Sequence, residues 1–394
     1  MQGSYLDYNA TAKLTPSARI AWEQASTTAW GNPNSAHGPG LIARRLLEAS
    51  RSGVADLVGA KPSEVIFTSG ATEANVMALH HMVVRARTLR RHRPLLLMGA
   101  TEHSSVMAAV ARWEALGEVR VGVLPVMPSG VVDLDALNTL LPGSAGLCLM
   151  WANNETGVLN PLEEISALVE RHGVPWHCDA VQAVGRLAAP HCTSIGSMAI
   201  SAHKLGGPKG CGALITLGGE RIVSLMPVSS QGRDGRAGTP NVPAAAAFAA
   251  AARDAVDGRL EGSWDAAAEA RLALESLLTT ALPGSVIHGS DGPRLPNTCN
   301  VALKCRGQWA DGDDLAAELA ALGIQVATGA ACRTGTGRPS HVLTAMGVAP
   351  EESLATLRIS LGLTTTLDDV SKAGRQIISL LEREHSVELA ATGR

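Results

Sequence analysis

Lys204 closes a short apolar run, Met198-Ala199-Ile200-Ser201, and is followed by the turn Gly206-Gly207-Pro208-Lys209-Gly210. Glycine carries no Cβ and proline fixes its own φ, so the backbone of such a turn can approach a bulky ligand closely. An amine held at the end of a buried strand suits condensation with an aldehyde to a Schiff base; the plain alternative is a surface lysine in a turn. Asp179 ends another apolar run, Val174-Pro175-Trp176-His177-Cys178-Asp179, 25 residues before Lys204. Strand alternation puts His177 and Asp179 on one face and Cys178 on the other. A carboxylate and a lysine at strand ends are the pairing that a pyridinium nitrogen needs, and together they are far more specific than either alone.

Further candidates stand at similar places. Thr68-Ser69-Gly70-Ala71-Thr72-Glu73-Ala74-Asn75 reads as a strand entering a helix through small residues. Its free N–H groups and helix dipole suit a phosphate, or else Thr68 or Ser69 is an ordinary N-cap. His103, in Thr101-Glu102-His103-Ser104, could stack on a flat ring and move protons, against the structural role more common for a lone histidine. The amides of Ala152-Asn153-Asn154-Glu155 could grip a substrate or cap the helix that follows. Cys332 lies among glycines and small residues beside Arg333. That setting favours an exposed, partly deprotonated thiol, whereas most cysteines are buried apolar groups. Arg358 falls in the strand-like run Leu357-Arg358-Ile359-Ser360-Leu361-Gly362.

The elements that must hold these residues follow from pattern. Apolar runs at 65–68, 95–99, 121–125, 146–151, 174–179, 198–201 and 212–217 alternate with helical stretches, the signature of a parallel α/β sheet with crossover helices. Ligands of such sheets sit beyond the carboxyl ends of the strands, where the candidates fall. Residues 31–38 (Gly-Asn-Pro-Asn-Ser-Ala-His-Gly) are too rich in turn formers for regular structure and predict a loop over the site. Helices are expected from Pro16, over 40–59, from Pro243, over 264–282 and over 313–322, with a strand at 300–304. At 394 residues, one large and one smaller domain are expected. The divisions expected are an N-terminal arm over 1–15, a large domain over 16–258 and a small one over 259–394, hinged near 258–263.

A net charge of −3, from 33 basic and 36 acidic residues, offers no basic field for nucleic acid and favours small-molecule chemistry. Seven cysteines without a C-x-x-C pair argue against a disulfide framework or a zinc cluster and fit a reducing cytoplasm. No bound metal is expected. The N-terminus has neither a basic start nor an apolar core, and no stretch reads as a membrane span.

Taken together, Asp7-Tyr8-Asn9-Ala10-Thr11, the 67–75 segment, Glu102-His103, Ala152-Asn153-Asn154-Glu155, Asp179-Ala180-Val181-Gln182 and the 201–210 segment resemble the cysteine desulfurases of the NifS/IscS type, nearly end to end. The resemblance implies the type I fold of pyridoxal 5'-phosphate (PLP) enzymes: a mostly parallel seven-stranded sheet with a smaller α+β domain. It implies a homodimer with sites near the interface, L-cysteine as substrate, and a sulfur-acceptor protein such as an iron-sulfur scaffold or a sulfur carrier. By the same resemblance Lys204 holds PLP, Asp179 faces its ring nitrogen, Gln182 its ring oxygen and His103 its face. Ala71, Thr72, Ser201, His203 and the partner's Thr239 serve the phosphate. Asn154 and Arg358 hold the substrate carboxylate, and Cys332 takes the sulfur as a persulfide. The loop entering Thr239 departs from the family pattern at Ser229-Ser230-Gln231-Gly232. Other readings on the same fold are a selenocysteine lyase, an aminotransferase or a C–S lyase, and a further one is a non-catalytic scaffold.

Overall fold

A computed structural model describes residues 3–89, 92–190, 194–226, 235–328 and 338–392, with side chains through 383. Its centre is a seven-stranded sheet in the order Val65–Thr68, Gly212–Ile215, Ile195–Ser201, Trp176–Asp179, Gly146–Cys148, Leu95–Gly99 and Arg120–Leu124. Only Gly212–Ile215 runs antiparallel to its neighbours. The inner strands are continuous apolar runs because both faces are covered, as parallel sheets require. On one face the helices Ala71–Thr88 and Ser104–Ala115 pack Leu79, Met82 and Val106 against Leu96 and Met98. On the other, Val54, Leu57 and Phe248 join Trp176, Met198 and Ile200.

The helix Val242–Leu260 packs against both Pro16–Thr28 and Gly38–Val58. Its run of alanines is almost wholly buried, and small side chains permit that close approach. The strand expected over 146–151 spans only Gly146–Cys148; beyond it the Leu149 and Trp151 N–H groups still donate to the His177 and Asp179 carbonyls at 3.1 and 3.0 Å, while the Met150 N–H goes to the Glu102 carboxylate at 2.6 Å.

A second core surrounds the four-stranded sheet Ala327–Thr328, Thr356–Ser360, Thr298–Ala302 and Val286–Ile287. Leu6, Leu274, Leu278, Val301, Leu319, Leu357, Ile359 and Ile377 fill it. The N-terminal strand Ser4–Tyr5 pairs in parallel with Ile324–Gln325, and Asp7 bridges to Ser360. The first residues of the chain are thus fastened beside Arg358. No helix among the described residues is long and apolar enough to cross a membrane.

Candidate active site

Four carboxyl-end segments of the large sheet converge on one cavity of about 670 Å³. Leu95–Gly99 leads to His103, Gly146–Cys148 to Asn154, Trp176–Asp179 ends on Asp179, and Ile195–Ser201 runs into the single turn Ala202–Lys204. Ala71, Thr72, His103, Asn154 and Asp179 line the cavity, as do Gln182, Ser201, His203, Lys204 and Arg358. Gly207 follows because any Cβ there would meet the Ala202 Cβ at 2.9 Å. Lys204 Nζ donates to the carbonyls of Ala10 at 2.8 Å and Asn9 at 2.5 Å, so the N-terminal arm receives the amine.

Asp179 is buried and accepts from Asn75 Nδ2 at 2.8 Å and from the Val181 N–H at 3.1 Å. His103 caps its own helix: its Nδ1 accepts from the Ser105 N–H at 3.2 Å and lies 2.8 Å from Ser105 Oγ. Burial lowers the His103 pKa, Lys204 and His341 lower it further, and Asp179 opposes them. Burial, then Lys204 and Lys209, push His203 down to about 4. Both rings are therefore neutral near pH 7.

Neither Thr68 nor Ser69 caps the helix Ala71–Thr88; the Thr68 hydroxyl donates instead to the Gly70 carbonyl at 2.9 Å. The first-turn N–H groups of an 18-residue helix thus open on the cavity beside Ala71 and Thr72. Gly212 lets the neighbouring strand pass under this turn, since a Cβ there would lie 2.7 Å from Gly70.

Gln182 accepts from Arg186 Nη1 at 2.6 Å and donates to the Asn9 carbonyl at 3.0 Å. Arg358 is buried; its Nη1 donates to the Asn154 carbonyl at 3.1 Å and its Nη2 to Asp7 Oδ1 at 2.7 Å. Its Nε has no partner among the described residues. Arg358 lines the cavity, and a buried guanidinium with a donor left over suits a ligand carboxylate. An amine, a carboxylate, an uncapped helix end and this guanidinium fit the aldehyde, ring nitrogen and phosphate of PLP and the carboxylate of an amino acid.

Thr239 lines a separate cavity of about 240 Å³ with Arg51, Ser69 and Arg236. Cys332 lies outside the described residues, as do residues 229–232. The 31–38 loop does not line the site cavity. His37 instead caps the helix Gly38–Val58 by accepting from the Gly40 N–H at 3.3 Å, and Arg44 holds the Pro33 carbonyl at 2.7 Å. Those bonds tie the loop to its own helix.

Sequence reasoning passed over Asn75, Arg186 and Glu102 as site residues, although Asn75 and Glu102 stand inside quoted motifs. Glu102 is buried, and burial followed by Asp179 pushes its carboxyl up to about 8, against the Met150 N–H bond. The signal for these residues was polarity within an apolar pattern, which does not name a partner.

The sequence profile described as "Aminotransferase class-V" matches residues 4–372. An IscS-like cysteine desulfurase of Mycobacterium tuberculosis is 38% identical, with 99% of each chain covered. A solved NifS-like protein superposes with a TM-score of 0.85 at 30% identity, over 96% of this chain and 99% of its own. A structure described as SspA in complex with cysteine gives 0.76 at 25% identity, over 91% of this chain and 98% of its own. With the site geometry in place, these likenesses establish that the chain belongs to the aminotransferase class-V family, among its PLP-dependent cysteine desulfurases.

Proposed function

We propose that the cavity around Lys204 is where this cysteine desulfurase takes sulfur from L-cysteine and leaves L-alanine, with Cys332 as the first sulfur acceptor. When bound, PLP supplies an electron sink for the pair released at the substrate Cα. Lys204 is the anchor and, once displaced by the substrate amine, the base that moves the Cα proton. Asp179, which accepts from two N–H donors, holds the proton on the ring nitrogen. The helix end at Ala71 and Thr72, with Ser201 and His203, takes the phosphate; His103 covers the ring and Gln182 serves its oxygen. Arg358 and Asn154 take the substrate carboxylate. The Cys332 thiolate attacks the substrate sulfur, so the Cβ–S bond breaks with its electron pair left on carbon and an S–S bond forms on Cys332; Cβ then gains a proton and Cα regains the one Lys204 took, giving alanine.

The observation that carries this reading is that Lys204, Asp179, an uncapped helix end and a buried Arg358 with an unpartnered Nε share one cavity. The SspA structure, described as a complex with cysteine, supports the substrate. We read the working unit as a homodimer, since Thr239 stands apart from the cavity of its own chain. A cytoplasmic setting, an iron-sulfur scaffold or sulfur carrier as acceptor, and the division into an arm, a large domain over 16–258 and a small one over 259–394 belong to the same reading. The test is borohydride reduction of the PLP-loaded protein followed by peptide mapping. The adduct is expected on Lys204, and an adduct on another lysine overturns the assignment.

A further inference from the structure

We propose that Asn75 and His177 are positioning residues that fix Asp179 as a hydrogen-bond acceptor, the role in which it can hold a proton on the cofactor's ring nitrogen. The inference rests on the reading of Asp179 given above and extends it to the residues that orient its donors.

The two lie at the meeting of the helix Ala71–Thr88 with the strand Trp176–Asp179. His177 and Asp179 share a strand face, and Asn75 is one turn inside the uncapped helix end. Asn75 and His177 are fully buried. The Asn75 amide nitrogen donates to Asp179 Oδ2 at 2.8 Å and to Ser105 Oγ at 3.0 Å. Its Oδ1 lies 2.9 Å from His177 Nε2, and His177 Nδ1 lies 2.9 Å from Ser197 Oγ.

Donor and acceptor counting makes these bonds conditional on one another. An amide oxygen only accepts, so His177 must carry its proton on Nε2, and the Ser197 hydroxyl then donates to the bare Nδ1. With Oδ1 held by that N–H, Asn75 can turn only its NH₂ toward Asp179. The Val181 N–H donates to the other carboxylate oxygen at 3.1 Å. Both oxygens of Asp179 therefore receive N–H donors and act as acceptors.

Suppose the His177 proton moved to Nδ1, toward the Ser197 carbonyl on the same edge. Asn75 would have to rotate, and its oxygen would then face Asp179 Oδ2. That contact is tolerable only if Asp179 is protonated, a state that cannot hold a proton on the ring nitrogen. Burial pushes the His177 ring down to about 4, so it stays neutral with one proton to place. A buried polar network is favourable only when every member is satisfied. Here the satisfied arrangement also holds Asp179 as an acceptor.

Glutamine and asparagine at position 177 separate positioning from packing. The glutamine amide can reproduce an N–H at the Nε2 position, whereas asparagine reproduces only the Nδ1 edge. In the PLP-loaded protein, His177→Gln is expected to keep kcat within a few-fold. His177→Asn is expected to lose roughly ten- to hundredfold in kcat, the scale of removing an outer-shell partner, with little change in KM. The lysine-bound cofactor's visible absorbance should titrate at an altered pH in His177→Asn and as in wild type in His177→Gln. Equal behaviour of the two variants overturns the proposal.

A second measurement needs neither variant nor cofactor. Nitrogen-15 NMR of the histidine rings in the wild-type apoprotein is expected to show His177 protonated on Nε2 and bare on Nδ1. A proton on Nδ1 overturns the proposal. Loss of the Lys204 adduct would sink the parent reading while leaving this NMR result intact, so the two failures are distinguishable.

Discussion

Asp7 and Arg358, 351 residues apart, form an ion pair at 2.7 Å in which the guanidinium is almost wholly buried and the carboxylate is at the rim. The pair ties the N-terminal arm to the strand Thr356–Ser360 and fixes one edge of the residue proposed to hold the substrate carboxylate. Asp7→Ala should lower stability by roughly 1–3 kcal/mol, the cost of leaving a buried charged donor unsatisfied. Urea denaturation checks it, and an unchanged midpoint would show that water or a neighbour replaces Asp7.

Arg358→Lys keeps the charge but loses the planar edge that carries the unpartnered Nε. We expect KM for L-cysteine to rise roughly ten- to hundredfold, the scale of a lost hydrogen bond to a charged group, with PLP content unchanged. Steady-state kinetics on the loaded variant decides this, and an unaltered KM would remove Arg358 from the substrate site.

Much of this architecture was legible in the chain because its signals are local. The apolar runs ending at Asp179 and Ser201 are observed strands, and the alternation that puts His177 beside Asp179 survives in the bonds both make to Asn75. Partners far apart in sequence were not legible. Nothing in the spacing of residues 1–15 says that Asp7 will meet Arg358, or that Asn9 and Ala10 will present carbonyls to Lys204. The shorter extent of the 146–151 run was not legible for the same reason, since the carboxylate that takes the Met150 N–H belongs to the distant Glu102. The 31–38 loop reads as turn, but its direction is set by bonds to Gly40 and Arg44.

Glu102 gives the stability a pH dependence of defined sign. Its carboxyl rises from 4.5 to about 8 on folding, so between those values the folded protein keeps a proton that the unfolded chain has released. The contribution is fully present below the unfolded value and is lost as the pH rises through about 8. Glu102→Gln abolishes that titration. Relative to wild type, its urea midpoint should therefore climb from about pH 5 to about pH 8 and then level off. A difference constant across that range would contradict the buried, protonated carboxyl.

Asp179→Asn keeps the size of the side chain and removes its charge. The variant should still bind PLP through Lys204 while losing roughly hundredfold or more in turnover, because an amide cannot hold the ring nitrogen protonated. Absorbance and alanine formation, measured on the same sample, check both halves. Near-normal turnover would refute the role given to Asp179.

The central claim is that sulfur leaves L-cysteine for Cys332. The most direct test is mass spectrometry of the PLP-loaded enzyme after a single turnover without reductant, with peptides mapped. The account predicts the mass of one added sulfur atom on the peptide bearing Cys332, and in Cys332→Ser no added sulfur and a steep fall in alanine, since a hydroxyl is hardly ionised near neutral pH. Sulfur found only on another cysteine, or equal alanine production by Cys332→Ser, would contradict it.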